Sequence, residues 1–396
     1  MTPANPVALS WAYLSRVAEP PCAGLAELVG RVGPVEAAER VRRGAVDEAL
    51  SRHTEARREI ATAAADLAVL ARLGGRLITP DSDEWPTLAF AAFGGAAVQA
   101  RGGPPLVLWA LGPHRLDDVA RRAAALVGTR ASTMYGEQVA ADLAAGVVER
   151  EVAVVSGGAY GIDGAAHRSA LHCDGITVAA LAGGVDVPYP AGHATLLRRI
   201  GRHGLLFTEY PPGVRPARHR FLTRNRLVAA VSGAAVVVEA GLRSGAANTA
   251  AWARALGRVV AAVPGPVTSS ASAGCHVLLR NGAELVTRAD DIVELVGHIG
   301  EFAPEQPRPG TELDGLSEDE RRVYEALPGR GAVTVDEVAV SSGLAPERVL
   351  GPLAMLELAG LARRDEGRWR IVRAGAGRTD TARPRIVDGG RVWTGG

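Results

Sequence analysis

The sequence predicts an α/β protein with a doubly wound, Rossmann-like parallel sheet at its core, an N-terminal helical module and a C-terminal winged-helix domain. Short apolar runs between residues 123 and 265 alternate with amphipathic segments, as in parallel strands covered by helices on both faces. The chain has 396 residues, more than one ordinary core accommodates. A Pro-rich stretch near residue 305 ends the alternation, and three helices and a hairpin are predicted after it.

The first predicted unit, residues 1–75, is an Ala-rich helical module. Gly30 and Gly33, with their apolar neighbours, resemble the turn of a SAM-like or helix-hairpin-helix module that contacts a DNA backbone. A plain helical bundle explains the same residues, so both interpretations stay open. Residues 76–122 are rich in Pro and Gly and are predicted to connect this module to the core.

The core, residues 76–300 with that connection, is predicted to contain six main strands, and each is followed by a helix. The predicted strands are "AAALVG", "VAVVS", "TVAALAG", "LLFTEY", "AAVVVEA" and "VVAAVPG", with "ELVT" as a shorter run after the last helix. The predicted helices are "YGEQVAADLAAGVVER", residues 162–173, "ATLLRRIGRHG", "FLTRNRLVAAVS", "GAANTAAWARALG" and "HVLLRNGA". Such an order places ligands at the carboxyl ends of the strands.

Residues 301–312 are predicted to be a linker, residues 313–373 a winged helix, and residues 374–396 a disordered tail. Ser317 is a suitable N-cap, and Glu320 is placed to complete a capping box. Winged helices bind duplex DNA or other proteins. Because the third helix offers only Arg348 as a basic residue, the sequence disfavours reading of the major groove.

Composition excludes several functions. The chain contains no lysine, so all 44 basic residues are arginines, and a Walker-type lysine or a Schiff base is excluded. Coding bias explains much of this, and the net charge of +1 does not by itself indicate a nucleic-acid partner. Three dispersed cysteines, no apolar run of membrane-spanning length and no basic leader predict a cytoplasmic protein without disulfides.

The most informative stretch is "VVSGGAYGIDGAAH", residues 154–167, in which a strand passes through a Gly-rich loop into a helix. This arrangement binds phosphate, because a helix N-terminus presents free N–H groups and a positive dipole end. Gly157, Gly158 and Gly161 do not have the dinucleotide spacing, and no acid ends the following strand. We therefore expect no nicotinamide cofactor.

Two catalytic interpretations of the same stretch are weak. Asp163 and His167 lie one helical turn apart, but Ser156 lacks the sharp turn that exposes a serine nucleophile. His167, His172 and Cys173 do not share one helix face, so a metal site is not predicted. We expect neither a triad nor a metal.

Three further segments are predicted at the same edge of the sheet. Gly128, Thr129 and Arg130 follow the first main strand, and Ser244 and Gly245 follow the fifth. Residues 196–226 contain eight arginines and one acid, Glu209. The arginines are Arg198, Arg199, Arg202, Arg215, Arg218, Arg220, Arg224 and Arg226. Phe221 lies within this run, where it either stacks on a base or packs the helix start. Arginines with an exposed ring are typical of sites for single-stranded nucleic acid.

From Ala123 to Leu295 the motifs resemble those of the DprA/Smf family of DNA-processing proteins. They include "VGTR", "VVSGGAYGIDGAAH", "ALHCDGITVAALAGGVDVPYP", "GLLFTEYPPG", "FLTRNRLVAAVS" and "VVVEAGLRSGAANTA", in that order. Two motifs depart from the family: "SGGA" replaces Ser-Gly-Leu-Ala, and "FLTRNR" lacks a Pro after Phe. Neither departure removes a charge.

The resemblance implies a non-catalytic protein that binds and protects incoming single-stranded DNA, loads the RecA recombinase during natural transformation, and dimerises through its Rossmann-like domain. It also leaves a broader role in recombination open. By position, Arg130 matches a DNA-backbone arginine, Arg218 a basic residue that is usually lysine, and Phe221 a base-contacting aromatic. The predicted DNA-binding residues are Gly128, Thr129, Arg130, Ser156, Gly157, Gly158, Gly161, Arg218, Phe221, Arg224, Asn225, Arg226, Ser244 and Gly245.

Two alternatives compete with this prediction. A related Rossmann-like superfamily cleaves nucleotides at the N-glycosidic bond, with a glutamate after a Gly-rich loop. The matching loop here, "RSGAANTA", has no glutamate in the next helical turn, which leaves Glu239 as the candidate acid. A scaffold with a vestigial pocket is the other alternative, and the retained Arg130, Arg218 and Arg226 argue against it.

Overall fold

A computed structural model describes residues 5–95, 102–297 and 315–372 of the chain. The chain divides into two compact units, Met1–Ala303 and Pro304–Gly396, and each is described by itself. Within the described ranges, no helix combines the length and the apolar character needed to cross a membrane.

The first unit begins with four helices, α1 (Pro6–Val17), α2 (Ala23–Arg43), α3 (Glu48–Thr54) and α4 (Ala63–Arg72). Gly33, at φ 78° and ψ 166°, interrupts α2, and Pro34 follows it, so the helix is kinked where the sequence suggests a turn. Trp11, Leu14 and Val17 on α1 are buried with residues of α2 in one apolar cluster. This cluster holds the four helices together as a small module.

A nine-stranded sheet forms the centre of the first unit, with the order β1-β2-β6-β5-β4-β3-β7-β8-β9. Its strands are β1 (Arg76–Ile78), β2 (Leu108–Leu111), β3 (Ala123–Gly128), β4 (Ala153–Ser156), β5 (Thr177–Ala180), β6 (Leu205–Thr208), β7 (Ala234–Glu239), β8 (Val259–Ala262) and β9 (Glu284–Leu285). Strands β3 to β9 pair in parallel, and the predicted Rossmann-like sheet is confirmed.

Helices cover both faces of this sheet, and a separate apolar cluster fills each face. They are α5 (Thr87–Ala91), α6 (Leu116–Arg121), α7 (Met134–Val148), α8 (Ile162–His172), α9 (Ala194–His203), α10 (Arg218–Ala230), α11 (Gly245–Ala255), α12 (Ala273–Arg280) and α13 (Ala289–Val296). Ala, Val and Leu dominate the central strands β3 to β8, because side chains on both faces of a parallel sheet are buried.

The segment that the sequence predicts as a connection, residues 76–122, instead supplies two strands of the sheet. Strand β2 is antiparallel to both of its neighbours, β1 and β6. Its Trp109 is fully buried, and the indole Nε1 donates a hydrogen bond to Ser15 Oγ of the helical module at 3.2 Å. This segment therefore attaches the module to the sheet.

The second unit contains α14 (Glu318–Ala326), α15 (Val335–Ser342), α16 (Pro346–Leu358) and an antiparallel hairpin of β10 (Ala362–Asp365) and β11 (Arg368–Ile371). The winged-helix prediction is confirmed by this order. The capping box is also present, because Glu320 N donates to Ser317 Oγ and Ser317 N donates to Glu320 Oε2. The predicted linker, residues 301–312, and tail, residues 374–396, lie outside the described residues.

Helix α16 has little basic character on its surface. Its Arg348 forms an ion pair with Asp319 at 2.6 Å, whereas Leu350, Met355 and Leu358 are exposed. The exposed surface of α16 therefore offers mainly apolar side chains, and its one arginine is already paired.

Candidate nucleic-acid interface

An open cleft with a volume of about 450 Å³ lies at the carboxyl ends of β3, β4 and β7. Strands β3 to β6 extend the sheet in one direction and β7 to β9 in the other, so the loops after β3 and β7 diverge at this point. A crevice at such a switch in strand order is where open α/β sheets bind their ligands. The cleft is lined by Val127, Gly128, Thr129, Arg130, Ala131, Gly157, Ala159, Asp163, Phe221, Leu222, Arg224, Asn225, Val228, Gly241, Arg243, Ser244, Gly245, Ala246 and Thr249.

The loop from β4 to α8 forms one wall, and Asp163 determines its shape. The Asp163 carboxylate accepts hydrogen bonds from Gly157 N at 3.1 Å and Ala159 N at 3.4 Å. Gly161, at φ 73°, packs so closely on the carbonyl oxygen of Thr129 that a Cβ atom would not fit. Asp163 therefore folds the loop back on itself, and Gly161 joins it to the loop after β3.

Ser156 and Gly158 do not line the cleft, although the sequence predicts both as DNA-binding residues. Ser156 is fully buried, and its hydroxyl donates to the carbonyl oxygen of Leu126 at 2.6 Å, which links β4 to β3. Gly158 is buried against Leu197 of α9. For Ser156 and Gly158 the prediction of direct contact is corrected: in this structure they support the loop.

Helix α10 forms the opposite wall through one of its faces. Phe221, Arg224, Asn225 and Val228 all line the cleft, and their spacing of three, four and seven residues places them on one side of a helix. Arg218 is exposed at the first residue of the helix, just beyond this lining. The basic run predicted from the sequence therefore contributes to the cleft through one face only.

Arg224 is a buried charged residue of this wall, with 4% of its surface exposed. Its Nη1 donates to the carbonyl oxygen of Ala180, and its guanidinium fills the space that a Cβ atom at Gly157 would need. Burial lowers the pKa of Arg224 to about 10, so it remains positively charged at neutral pH. Burial also raises the pKa of Asp163, while the charge of Arg224 opposes that shift.

Arg226 is a correction to the predicted site. It is fully buried outside the cleft lining, and its Nη2 donates to Glu209 Oε1 at 2.6 Å, with Glu209 itself 3% exposed. Its Nε and Nη1 have no hydrogen-bond partner among the described residues. Arg226 therefore links α10 to the residue that follows β6. Because Arg226 is two residues after Arg224, it lies on the opposite side of the helix from the cleft.

Phe221 takes part in an aromatic cluster at the rim. The guanidinium of Arg130 lies over its ring at 4.9 Å, and the Tyr189 ring lies 5.4 Å away at an interplanar angle of 49°. The Tyr189 side chain is 47% exposed. The sequence prediction missed Tyr189, although an aromatic between prolines in "VPYP" at the sheet edge was a usable signal.

The loop after β7 closes the third side. Ser244 and Gly245 lie at the start of α11, and Asn225 Nδ2 is within 3.4 Å of the Gly245 carbonyl oxygen. Ser244 Oγ is buried without a hydrogen-bond partner among the described residues. Arg243, which the sequence prediction missed, lines the cleft and is exposed.

The acids and the histidine considered for catalysis are all buried and hydrogen-bonded within the fold. Glu239 is buried, and its carboxylate accepts hydrogen bonds from Thr133 N at 2.8 Å and Thr133 Oγ1 at 2.7 Å, outside the cleft lining. Thr177 Oγ1 donates a hydrogen bond to the Val154 carbonyl oxygen, so its oxygen accepts one from His167 Nδ1 at 2.7 Å. Asp163 instead accepts hydrogen bonds from Gly157 N and Ala159 N, so it does not orient His167.

Burial lowers the pKa of His167 to about 3, and the nearby charges of His193, Arg224 and Arg168 add to this effect. The imidazole is consequently neutral at physiological pH. Among the residues in the described ranges, no group of three or more His, Cys, Asp or Glu side chains is placed to hold a metal.

Comparison with known proteins identifies two family matches. A family model described as "DNA recombination-mediator protein A" matches residues 76–297, and one described as "DprA winged helix domain" matches residues 304–368. A putative DNA processing protein DprA from Mycobacterium tuberculosis is 78% identical over 94% of this chain and 96% of its own. Protein Smf from Escherichia coli is 37% identical over 60% of this chain and 64% of its own.

The fold is similar to that of a solved structure as well. The crystal structure of DNA processing protein A from Streptococcus pneumoniae superimposes with a TM-score of 0.57 and 26% sequence identity. The match covers 76% of this chain and 99% of that chain. It therefore includes more than the sheet alone.

Proposed function

Because this chain belongs to the DprA/Smf family of DNA-processing proteins, we propose that its cleft binds single-stranded DNA without regard to sequence. One observation carries the proposal: the cleft combines arginines with the half-buried ring of Phe221, which contacts the exposed Tyr189 ring at the rim, and nearly excludes acids. Among its described lining residues, Asp163 is the single carboxylate, and backbone amides already engage it. Such a cleft attracts an anionic polymer and offers it rings to stack on.

The two kinds of contact have separate locations. Arg130, Arg224 and Arg243 line the cleft, where guanidinium groups suit the phosphates of the strand. Phe221 and Tyr189 lie at the rim, where an unpaired base can stack. In duplex DNA the bases are already stacked and paired, so the rings favour single strands.

The recombination role is a second step of the same proposal. The family model that matches residues 76–297 is described as a recombination mediator, which supports a protein that protects incoming single strands and loads RecA onto them during natural transformation. We further propose a cytoplasmic homodimer that forms through the Rossmann-like domain. Sedimentation of the full chain tests the homodimer. The rate of RecA filament formation on single-stranded DNA coated with a single-strand-binding protein, measured with and without this chain, tests the loading of RecA.

The first experiment compares binding of labelled oligo-dT with that of a duplex of equal length at several salt concentrations. We expect tighter binding of the single strand, with a slope of log K against log salt of about −2 to −4, as for roughly three to six neutralised phosphates. Equal affinity for the duplex, or no binding, would contradict the proposal. Nucleotide hydrolysis would then be assayed, with Glu239→Gln as the variant that tests the N-glycosidase alternative.

The Tyr189→Ala variant is expected to bind oligo-dT about fivefold more weakly, because one stacking ring is removed while Phe221 remains. The salt slope should not change, since no charge is lost. Tyr189→Phe is the matched control, because it keeps the ring and loses only the hydroxyl. Fluorescence anisotropy measures both variants, and an unchanged affinity of Tyr189→Ala would exclude the ring from the binding site.

A further inference from the structure

The first turn of α10 is held by a residue that lies about 200 positions earlier in the chain. Glu19 lies between α1 and α2 in the helical module. Its Oε1 accepts a hydrogen bond from Arg220 Nε at 2.6 Å, and its Oε2 accepts one from Arg220 Nη2 at 3.1 Å. Arg57 Nη2 is 2.9 Å from Oε2, and His219 Nε2 is 3.3 Å from Oε1. Three basic side chains from two parts of the fold thus meet at one carboxylate.

We propose that Glu19 is a positioning residue for single-stranded DNA binding, through which the helical module holds the start of α10 and thereby places Arg218 and Phe221 at the cleft. This inference rests on the proposed function of the cleft. It gives the N-terminal module a role in binding that requires no contact between the module and DNA.

The local sequence explains why α10 needs such support. The helix begins with Arg218, His219 and Arg220, and its first turn contains no acid. The preceding residue, Ala217, makes no side-chain capping bond. Positive charges near a helix N-terminus are unfavourable because they face the positive end of the helix dipole, and an uncapped first turn leaves N–H groups unpaired. Glu19 supplies from another element the negative charge that the helix lacks.

The geometry separates support from binding. Arg220 lies one helical turn before Arg224, but its guanidinium pairs with Glu19 and does not line the cleft, and 14% of its side chain is exposed. Its Nη1 also donates to the carbonyl oxygen of Arg215, and its guanidinium lies 4.8 Å over the Tyr210 ring. Arg220 therefore binds the helical module and the segment before α10, whereas Phe221 and Arg224 remain available to single-stranded DNA.

The charge of Glu19 persists at neutral pH. Burial raises the pKa of its carboxyl group, but hydrogen bonds from Arg220, Arg57 and His219 outweigh that effect, and the net shift is downward. The ion pairs consequently form under the conditions in which DNA binding would be measured.

The test measures oligo-dT affinity of the full chain for wild type, Glu19→Gln, Phe221→Ala and the double variant. Glu19→Gln should weaken binding about fivefold in the wild-type background and no more than about twofold in the Phe221→Ala background. The reason is that the effects of substitutions at residues that act together do not add. Glu84→Gln is the matched control. It breaks another Arg–Glu pair joined by two hydrogen bonds, with Arg76, and among the described residues neither partner has a hydrogen bond or ion pair to α10. This variant should change affinity by less than about twofold.

Three results would overturn the inference: unchanged affinity of Glu19→Gln, the same fivefold loss in both backgrounds, or an equal loss for Glu84→Gln. A wild-type protein that does not bind oligo-dT would instead contradict the proposed function. In that case amide hydrogen exchange of residues 218–222 still tests the positioning. Faster exchange in Glu19→Gln than in Glu84→Gln supports it, and equal exchange overturns it.

Discussion

Replacing Arg130 with alanine is expected to weaken oligo-dT binding by about 10- to 100-fold, the range of one charge-assisted hydrogen bond to a phosphate. Arg130 is exposed at the cleft, and no carboxylate lies within ion-pairing distance of it among the described residues. The same guanidinium lies 4.9 Å over the Phe221 ring. Under the proposed function, its loss removes one group that contacts a phosphate and one neighbour that holds the Phe221 ring.

The salt dependence separates these two effects. Loss of one phosphate contact should make the slope of log K against log salt less negative by about 0.7. Arg130→Lys keeps the charge but lacks the planar group, so it should restore the slope and only part of the affinity. Arg121→Ala, an exposed arginine outside the cleft, is the control. An unchanged slope for Arg130→Ala would show that Arg130 does not contact a phosphate.

Replacing Glu209 with alanine is expected to lower the free energy of unfolding by about 3–5 kcal/mol, which is typical when one partner of a buried ion pair is removed. Arg226 is fully buried, and Glu209 is the one ion-pair partner it has among the described residues. Without Glu209 its charge would be unpaired in the interior. Because Arg226 anchors α10, we expect oligo-dT affinity to fall as well.

Urea denaturation of the full chain measures this effect. Glu209→Leu combined with Arg226→Leu should recover most of the loss, since removing both charges leaves neither one buried alone. Glu36→Ala is the surface control: its pair with Arg40 is about half exposed, and we expect a change below about 0.5 kcal/mol. A loss below about 1 kcal/mol for Glu209→Ala would contradict the role assigned to the pair.

Much of the fold could be predicted because parallel strands carry a strong sequence signal. Each strand from β3 to β8 coincides with a continuous apolar run, since both of its faces are buried. Strands β1 and β2 escaped prediction. Their short apolar runs lie among Pro and Gly residues, and pairing with β6 and contact with the helical module make them strands.

The site was predicted less completely than the fold. The order of strands and Gly-rich loops places Arg130, Gly157 and Ser244 at one edge, and the structure brings them into one cleft. Ser156 belongs to the same motif as Gly157 yet points into the sheet. Tyr189 joins the cleft from a loop whose sequence carries little periodicity.

By itself, the sequence determined that this chain forms a doubly wound sheet with Gly-rich loops and arginines at its carboxyl edge, because apolar periodicity and strand order are local properties. The tertiary structure alone decided which arginines of α10 can meet a ligand: Arg224 faces the cleft, whereas Arg220 and Arg226 are paired with Glu19 and Glu209. The same side chain is a ligand-binding group or a buried ion-pair partner according to what packs against it. Those neighbours come from distant parts of the chain, so no local pattern reveals them.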